Sequence, residues 1–498
     1  MHTADRVLAG FEPAAVLSYF EDICAIPHVS GDEAAIADYV EGFARARGLT
    51  CYRDAVHNVF IKLPASAGHE GAPAVMLQGH TDMVGEKTAD SAHDFATDGL
   101  RLRVDGEGWI SATDTTLGGD DGIAVAMMLA ILDCPPEPHP AIECLFTVSE
   151  ETGLEGAWAF DPAAAGATAR TMINLDSEAE GVITAGCSGG MRTDITLPVT
   201  CEPTCGIAVK VTLDGFTGGH SGVEIHEGHT NAIKAMGRLL TAVWETYELG
   251  LVSLNGGGKD NAIPRDCTAV LDLRDADGAE ALMRDLTAEA DRLRREPNVI
   301  PADKGFTCTV EILPEAPAYA FDAKGDYGVL TLLTLIRDGV LSMSAHVKGL
   351  VAHSRNLGIV KTLCDEEGKP TAVKFSASTR SASGSHLDDS ERELAALAAA
   401  LGGTVAHRAR YPGWDYAPVS PLRELWTAVS ERVCGVTPRV EVIHAGLECG
   451  ILCDKLGEMD IISVGPDMRD IHTPREMLSI PSVERTYRLV CETICALA

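Results

Sequence analysis

The stretch Val75-Met76-Leu77-Gln78-Gly79-His80-Thr81-Asp82 decides the fold. A short apolar run of strand length ends directly on an imidazole and a carboxylate. Working outward, comparable runs occur at Asn58 to Leu63, Ile142 to Val148 and Met172 to Leu175. Segments with helical periodicity or turn residues separate them, so the alternation predicts an α/β sheet. Upstream, Val16, Phe20, Ile23 and Cys24 recur at helical spacing, as do Ile36, Val40 and Phe43 after the capping candidates Ser30 and Asp32. Two amphipathic helices therefore open the chain.

The polar residues after these runs carry the chemistry. His80-Thr81-Asp82, Glu150-Glu151 and Asp176 each follow a candidate strand, Gly118-Gly119-Asp120-Asp121-Gly122 opens a predicted helix, and His472 follows the last strand. Ligands of open α/β sheets bind outside the carboxyl ends of the strands, so residues distant in sequence can meet there. Taken singly, each is more often a loop, cap or surface residue than a metal ligand. Together they supply two imidazoles and several carboxylates, a mixed nitrogen and oxygen donor set for divalent metals.

From Ile207 the pattern changes to a strand, a helix around Asn231 to Tyr247, two strands flanking a Gly-rich turn, and a helix around Ala279 to Arg294. A comparable order recurs: a strand near Cys308 to Leu313, a helix near Tyr327 to Ile336, strands at Gly358 to Leu363 and Thr371 to Ser376, a helix at Glu391 to Leu401 and a strand at Thr404 to Arg408. This suggests two α+β halves related by duplication. Past Tyr411 the α/β character returns, with a helix at Leu422 to Val433 and a strand at Ile461 to Val464. The expected organisation is a discontinuous α/β domain, residues 1–204 and 409–498, interrupted by a duplicated α+β lid, residues 205–408.

Composition narrows the classes. A formal net charge of −33 disfavours nucleic acid and anionic membrane surfaces as partners. The fifteen cysteines are scattered and odd in number, which reads as reduced thiols. Cys449/Cys453 and Cys491/Cys495 read as helix-face packing, not as a zinc site. No apolar run approaches membrane-spanning length, and the first thirteen residues lack a secretory pattern, so a cytoplasmic enzyme is expected.

The runs quoted above, with Ser149-Glu150-Glu151-Thr152-Gly153 and Asn174-Leu175-Asp176-Ser177-Glu178, resemble those of co-catalytic zinc peptidases, a family that includes carnosinases, aminoacylases and the bacterial peptidase D group. Gly219-His220-Ser221-Gly222, Asn261-Ala262-Ile263-Pro264-Arg265, His444-Ala445-Gly446-Leu447-Glu448-Cys449-Gly450 and His472-Thr473-Pro474-Arg475-Glu476 resemble the aminoacyl-histidine dipeptidases in particular, and the likeness spans nearly the whole chain. The resemblance implies that Asp120 bridges two divalent ions, with His80 and Asp176 completing one shell and Glu151 and His472 the other. Zinc is the expected ion, and cobalt or manganese also suits such donors. Asp82 would hold the His80 tautomer, and Glu150 would act as general base and acid in hydrolysis by a metal-activated water.

By the same likeness His220 would stabilise the oxyanion from the lid, its bland alternative being a turn histidine. Asn261, Arg265, His444 and Glu448 are candidate substrate contacts, and Arg265 is equally readable as structural. Gly119 and Asp121 depart from the Ala and Asn often found there in this group. The implied activity is hydrolysis of a short peptide, Xaa-His dipeptides including β-Ala-His above all. An N-acyl-amino-acid amidohydrolase and a non-catalytic metal-binding scaffold are the alternatives. For the assembly, the resemblance favours a homodimer, and a monomer whose duplicated lid supplies the same contacts within one chain stays open.

Overall fold

The run Val75–His80 is a strand, and all six of its residues are buried. In the computed structural model, which describes residues 6–315, 317–345 and 347–498, it lies inside an eight-stranded sheet. The order is Thr50–Arg53, Val59–Leu63, Ile142–Thr147, Val75–His80, Thr171–Asn174, Asp460–Ser463, Val182–Cys187, Arg439–Ile443. The four strands from Ile142–Thr147 to Asp460–Ser463 run parallel. Their near-continuous burial is what a sheet covered on both faces requires.

The helix Gly119–Asp133 is apolar around its circumference and buried from Gly119 to Leu132. Such a helix belongs inside a core, and it packs against the helix Ala14–Cys24 and the strand Val75–His80. Its start is fixed by Gly118, whose φ of 66° lies in the left-handed region and whose Cβ, if present, would stand 2.8 Å from Met83 Sδ.

The chain divides into two compact units. One comprises Met1–Cys187, Trp414–Val442 and Leu447–Ala498, and the other Ser188–Gly413 and Ile443–Gly446. Each has its own hydrophobic core. Residues 188–204, 409–413 and 443–446, expected in the first unit, fall in the second; at the first of these boundaries Gly189–Pro198 pairs with Pro370–Ser381 on one side and Thr404–Tyr411 on the other.

The second unit is built on one antiparallel sheet, ordered Thr307–Ile312, Ile207–Asp214, Cys267–Leu273, Leu249–Gly256, Val351–Cys364, Pro370–Ser381, Gly189–Pro198, Thr404–Tyr411, with Gly339–Met343 paired to Val351–Cys364 off this path. Numbering four strands along the chain in each half, the first half reads four-one-three-two and the second two-three-one-four. The duplication is therefore present as topology. Its second half opens with Gly189–Pro198, however, and not with the Cys308 to Leu313 strand expected from sequence, which pairs with Ile207–Asp214 and closes the first half. One half is nested inside the other. The chain enters and leaves the inner half through the paired segments Cys201–Pro203 and Tyr319–Phe321.

Arg355 is fully buried in this unit. Its Nη2 donates to Glu393 Oε2 at 3.0 Å, and the same carboxylate takes two bonds from Arg337 at 2.9 and 2.7 Å. The Arg337 hydrogen bond, with Arg355 beside it, holds the Glu393 carboxyl down at about 2 against an ordinary 4.5. A depressed carboxylate stabilises the fold above its unfolded value, and that contribution is lost as pH falls from about 4.5 toward 2. Glu393→Gln is expected to cost about 3 kcal/mol by leaving a buried guanidinium without its counter-charge. It should also flatten the acid limb of stability, and denaturant midpoints measured between pH 5 and 2 check both. An unchanged midpoint at neutral pH would contradict the assigned role.

Candidate metal centre

The strand ends deliver the chemistry. His80 terminates its strand, Glu150 and Glu151 follow Ile142–Thr147, and Asp176 follows Thr171–Asn174. Asp120 stands between the two imidazoles: its Oδ1 is 3.1 Å from His80 Nε2 and its Oδ2 3.1 Å from His472 Nε2. Asp176 Oδ1 lies 3.6 Å from the same His80 nitrogen, and Glu151 Oε1 lies 2.8 Å from His472 Nε2. Among the described residues, three sets of side chains bring ligand atoms within 4.8 Å of one another: His80 with Asp121 and Asp176, His80 with Glu150 and Glu151, and Asp120 with Glu151 and His472. Ser149 and His472 adopt left-handed backbones at φ 51° and 59°. Each costs about 1–3 kcal/mol, which persists only where the surroundings over-determine the position.

The electrostatics call for cations. Burial, with Asp176 nearby, pushes the Glu150 carboxyl well above its ordinary range. Burial does the same to Asp121 and lifts Asp176 to about 6, while hydrogen bonds to Asp120 and Glu151 raise His472 to about 10. So many carboxylates out of water are costly unless positive charge joins them. Glu151 Oε1 is buried without a hydrogen bond although an imidazole nitrogen stands beside it, an arrangement suited to a shared ion. The donor set of imidazole nitrogen and carboxylate oxygen fits divalent metals.

Residues around the ligands fix their aim. His80 Nδ1 bonds the backbone carbonyl of Asp82 at 2.9 Å, with the Asp82 carboxylate 3.4 Å away. The Asp82 carboxylate itself accepts from the Glu150 N–H at 3.0 Å and the Ser30 hydroxyl at 2.8 Å, so one residue orients the imidazole and the loop carrying both glutamates. Asp121 is fully buried, and its Oδ2 accepts the His80 N–H at 3.1 Å. At Gly119 a Cβ would approach Glu476 Oε1 and Met468 Sδ to 3.2 Å.

Two anchors escaped the sequence reading. Glu476 accepts the N–H groups of Leu117, Gly118, Gly119 and Asp120 at 2.8 to 3.4 Å and so cradles the turn that presents Asp120. It stands in the quoted His472 run, which was the available signal. Glu33 accepts from the Ser149 N–H and hydroxyl at 3.1 and 2.7 Å, and nothing in the sequence marks it. Glu448 belongs to this inner set too: it is fully buried, and its Oε2 accepts from Gln78 Nε2 and Thr147 Oγ1, both at 2.6 Å. Through that oxygen it braces two strand ends, while its Oε1 is buried without a hydrogen bond.

His220, Asn261, Arg265 and His444 lie in the second unit. His220 pairs with Ala262 in a short ladder, and the Ser221 N–H donates to the Asn261 carbonyl at 2.9 Å. Arg265 is exposed, and its Nε donates to the Phe216 carbonyl at 3.2 Å. His444 is buried, its Nε2 2.7 Å from Ser354 Oγ, and burial with Arg380 nearby lowers it to about 3.

The Peptidase family M28 model matches residues 58–185, and that for the Peptidase dimerisation domain matches residues 211–302. The cytosol non-specific dipeptidase of Escherichia coli (strain K12) is 35% identical over 489 residues, covering 98% of each chain. The crystal structure of aminoacylhistidine dipeptidase from Vibrio alginolyticus superposes with a TM-score of 0.92 at 33% identity, covering 100% of this chain and 99% of that one. Aminopeptidase PepT from Bacillus cereus, 16% identical with a TM-score of 0.56 over 98% of this chain and 99% of that one, shares the fold. With these likenesses spanning the whole chain and a two-ion donor set at the strand ends, the protein belongs to the family of metal-dependent dipeptidases that contains the cytosol non-specific and aminoacylhistidine enzymes.

Proposed function

We propose that this dipeptidase acts on Xaa-His dipeptides, β-Ala-His among them, with two zinc ions held by His80, Asp120, Glu151, Asp176 and His472. The observation that carries the reading is Asp120, whose two oxygens each face a different imidazole at 3.1 Å. When bound, the ions supply Lewis-acid activation of water and of the scissile carbonyl. The remaining work falls to the chain's own side chains. Glu150 takes a proton from the attacking water and returns one to the departing amine nitrogen. Asp82 holds the loop that carries Glu150, and His220 donates a hydrogen bond to the developing oxyanion. Asn261, Arg265 and His444 orient the substrate, the guanidinium by pairing with a carboxylate.

The preference for Xaa-His is supported by the likeness to the Vibrio enzyme, whose name carries that specificity. A homodimer is supported by the match to a dimerisation-domain family, and light scattering across concentration tests it. A cytoplasmic location is supported by the name of the Escherichia coli relative. The deciding assay presents the purified protein with β-Ala-His, ordinary Xaa-His dipeptides, other dipeptides, longer peptides and acylated amino acids, together with metal analysis. Turnover of Xaa-His above the other dipeptides is expected. Equal turnover of all dipeptides would remove the histidine preference, and stoichiometric metal without turnover would remove catalysis.

A further inference from the structure

Asp303 is a fully buried carboxylate in the second unit. Its Oδ1 accepts the Thr217 N–H at 2.7 Å and its Oδ2 the Thr230 N–H at 2.6 Å. Those two donors are the stems of the loop that contains Gly219-His220-Ser221. Within the loop the Glu224 carboxylate accepts the His220 N–H, and the Gly222 and Val223 N–H groups point at His220 Nδ1 at 3.3 and 3.2 Å. Nδ1 is thereby an acceptor, which leaves the proton of a neutral ring on Nε2. Gly219 allows this arrangement: its φ is 138°, and a Cβ there would meet His229 Nδ1 at 2.7 Å. The imidazole's orientation is thus set by its loop, which pairs with Ala262–Ile263 on one side and whose two stems meet at one carboxylate.

We infer that Asp303, supported by Glu224, is a positioning residue for catalysis, closing the 217–230 loop so that His220 presents its Nε2–H in a fixed direction. The inference rests on the proposed role of His220. A buried carboxylate spent on two backbone donors, with no cation bonded to it among the described residues, has the chemistry of a loop staple, and losing it leaves two N–H groups competing for water. Misplacing a catalytic donor by about 1 Å costs on the order of 100-fold in rate.

The test is a double-mutant cycle in the metal-loaded enzyme, read as kcat and KM with a dipeptide that the wild type turns over. His220→Ala is expected to lower kcat by about 100-fold or more with both metals retained. Asp303→Asn, which keeps one acceptor and turns the other into a donor, is expected to lower kcat by about 10- to 100-fold with a much smaller change in KM. In the double variant Asp303→Asn should add almost nothing to the loss from His220→Ala. Normal turnover by His220→Ala would overturn the reading of His220 itself. A damaging His220→Ala with a harmless Asp303→Asn, or with losses that multiply in the double variant, would overturn the positioning role alone. Should Asp303→Asn lose its cooperative melt, Glu224→Ala on the half-exposed side of the loop takes its place in the same cycle, with the same two outcomes.

Discussion

Replacing Glu150 with Gln is expected to lower kcat by about 10²- to 10⁴-fold while leaving the metal content unchanged. The substitution keeps the shape of the side chain and removes the carboxylate proposed to accept and return the proton. Its backbone contacts persist: the Glu150 N–H still reaches Asp82 Oδ1, and its carbonyl still accepts from Gly153 and Leu154. The loop should therefore present Glu151 as before. Steady-state kinetics paired with elemental analysis separates the roles of the two adjacent glutamates. Loss of metal along with activity would make Glu150 a ligand, and retention of activity would move the base elsewhere.

Asp120→Ala should act in the opposite order, stripping the centre first and activity as a consequence. The Asp120 carboxylate faces His80 through one oxygen and His472 through the other, so under the proposed bridging role its removal would take a donor from both ions at once. It also takes away a charge buried among imidazoles that it helps to keep aligned. Dialysed protein is expected to carry far less than the two ions per chain of the parent, with kcat falling beneath that of the Glu150 variant. Full retention of both ions after dialysis against a chelator would refute the bridging assignment.

The catalytic sheet was legible because its strands are apolar runs that stop abruptly on His80, Glu150 and Asp176, and because burial on both faces leaves little alternation to misread. The strand Val182–Cys187 was hidden by its small residues. Gly186 there serves a close backbone approach, since a Cβ would lie 2.9 Å from the Trp414 carbonyl. Gly189–Pro198 was legible in principle: Met191, Thr193, Ile195 and Leu197 are buried and alternate with Arg192, Asp194 and Thr196. Two consecutive passes along the chain do not contain it, and the order on the sheet alone reveals one pass nested within the other. The motif around His472 contains Glu476, but spacing cannot show what it holds, because the backbone it cradles at Leu117 lies 359 residues away. Glu448 shows the same limit: its motif shows that a carboxylate is present, and not that its Oε2 bonds Gln78 and Thr147.

Nesting gives the two halves of the second unit loops of unequal length to close, so the inner half is expected to fold first. The inner half is complete once Ile207–Asp214, Leu249–Gly256, Cys267–Leu273 and Thr307–Ile312 exist, and its pairings close over comparatively short loops. Gly189–Pro198 is made before any of them, yet its first partner, Ala372 opposite Pro198, arrives only after the whole inner half has been synthesised. Until then it is a solitary strand with both edges open, and closing so long a loop is slow. Pulse-labelled hydrogen exchange during refolding should protect Val209 to Leu213 before Thr193 to Leu197. Simultaneous protection would mean that the two halves form as one cooperative event. The interval between them is when this chain is most exposed to pairing with another copy of itself, through an edge that the finished sheet covers on both sides.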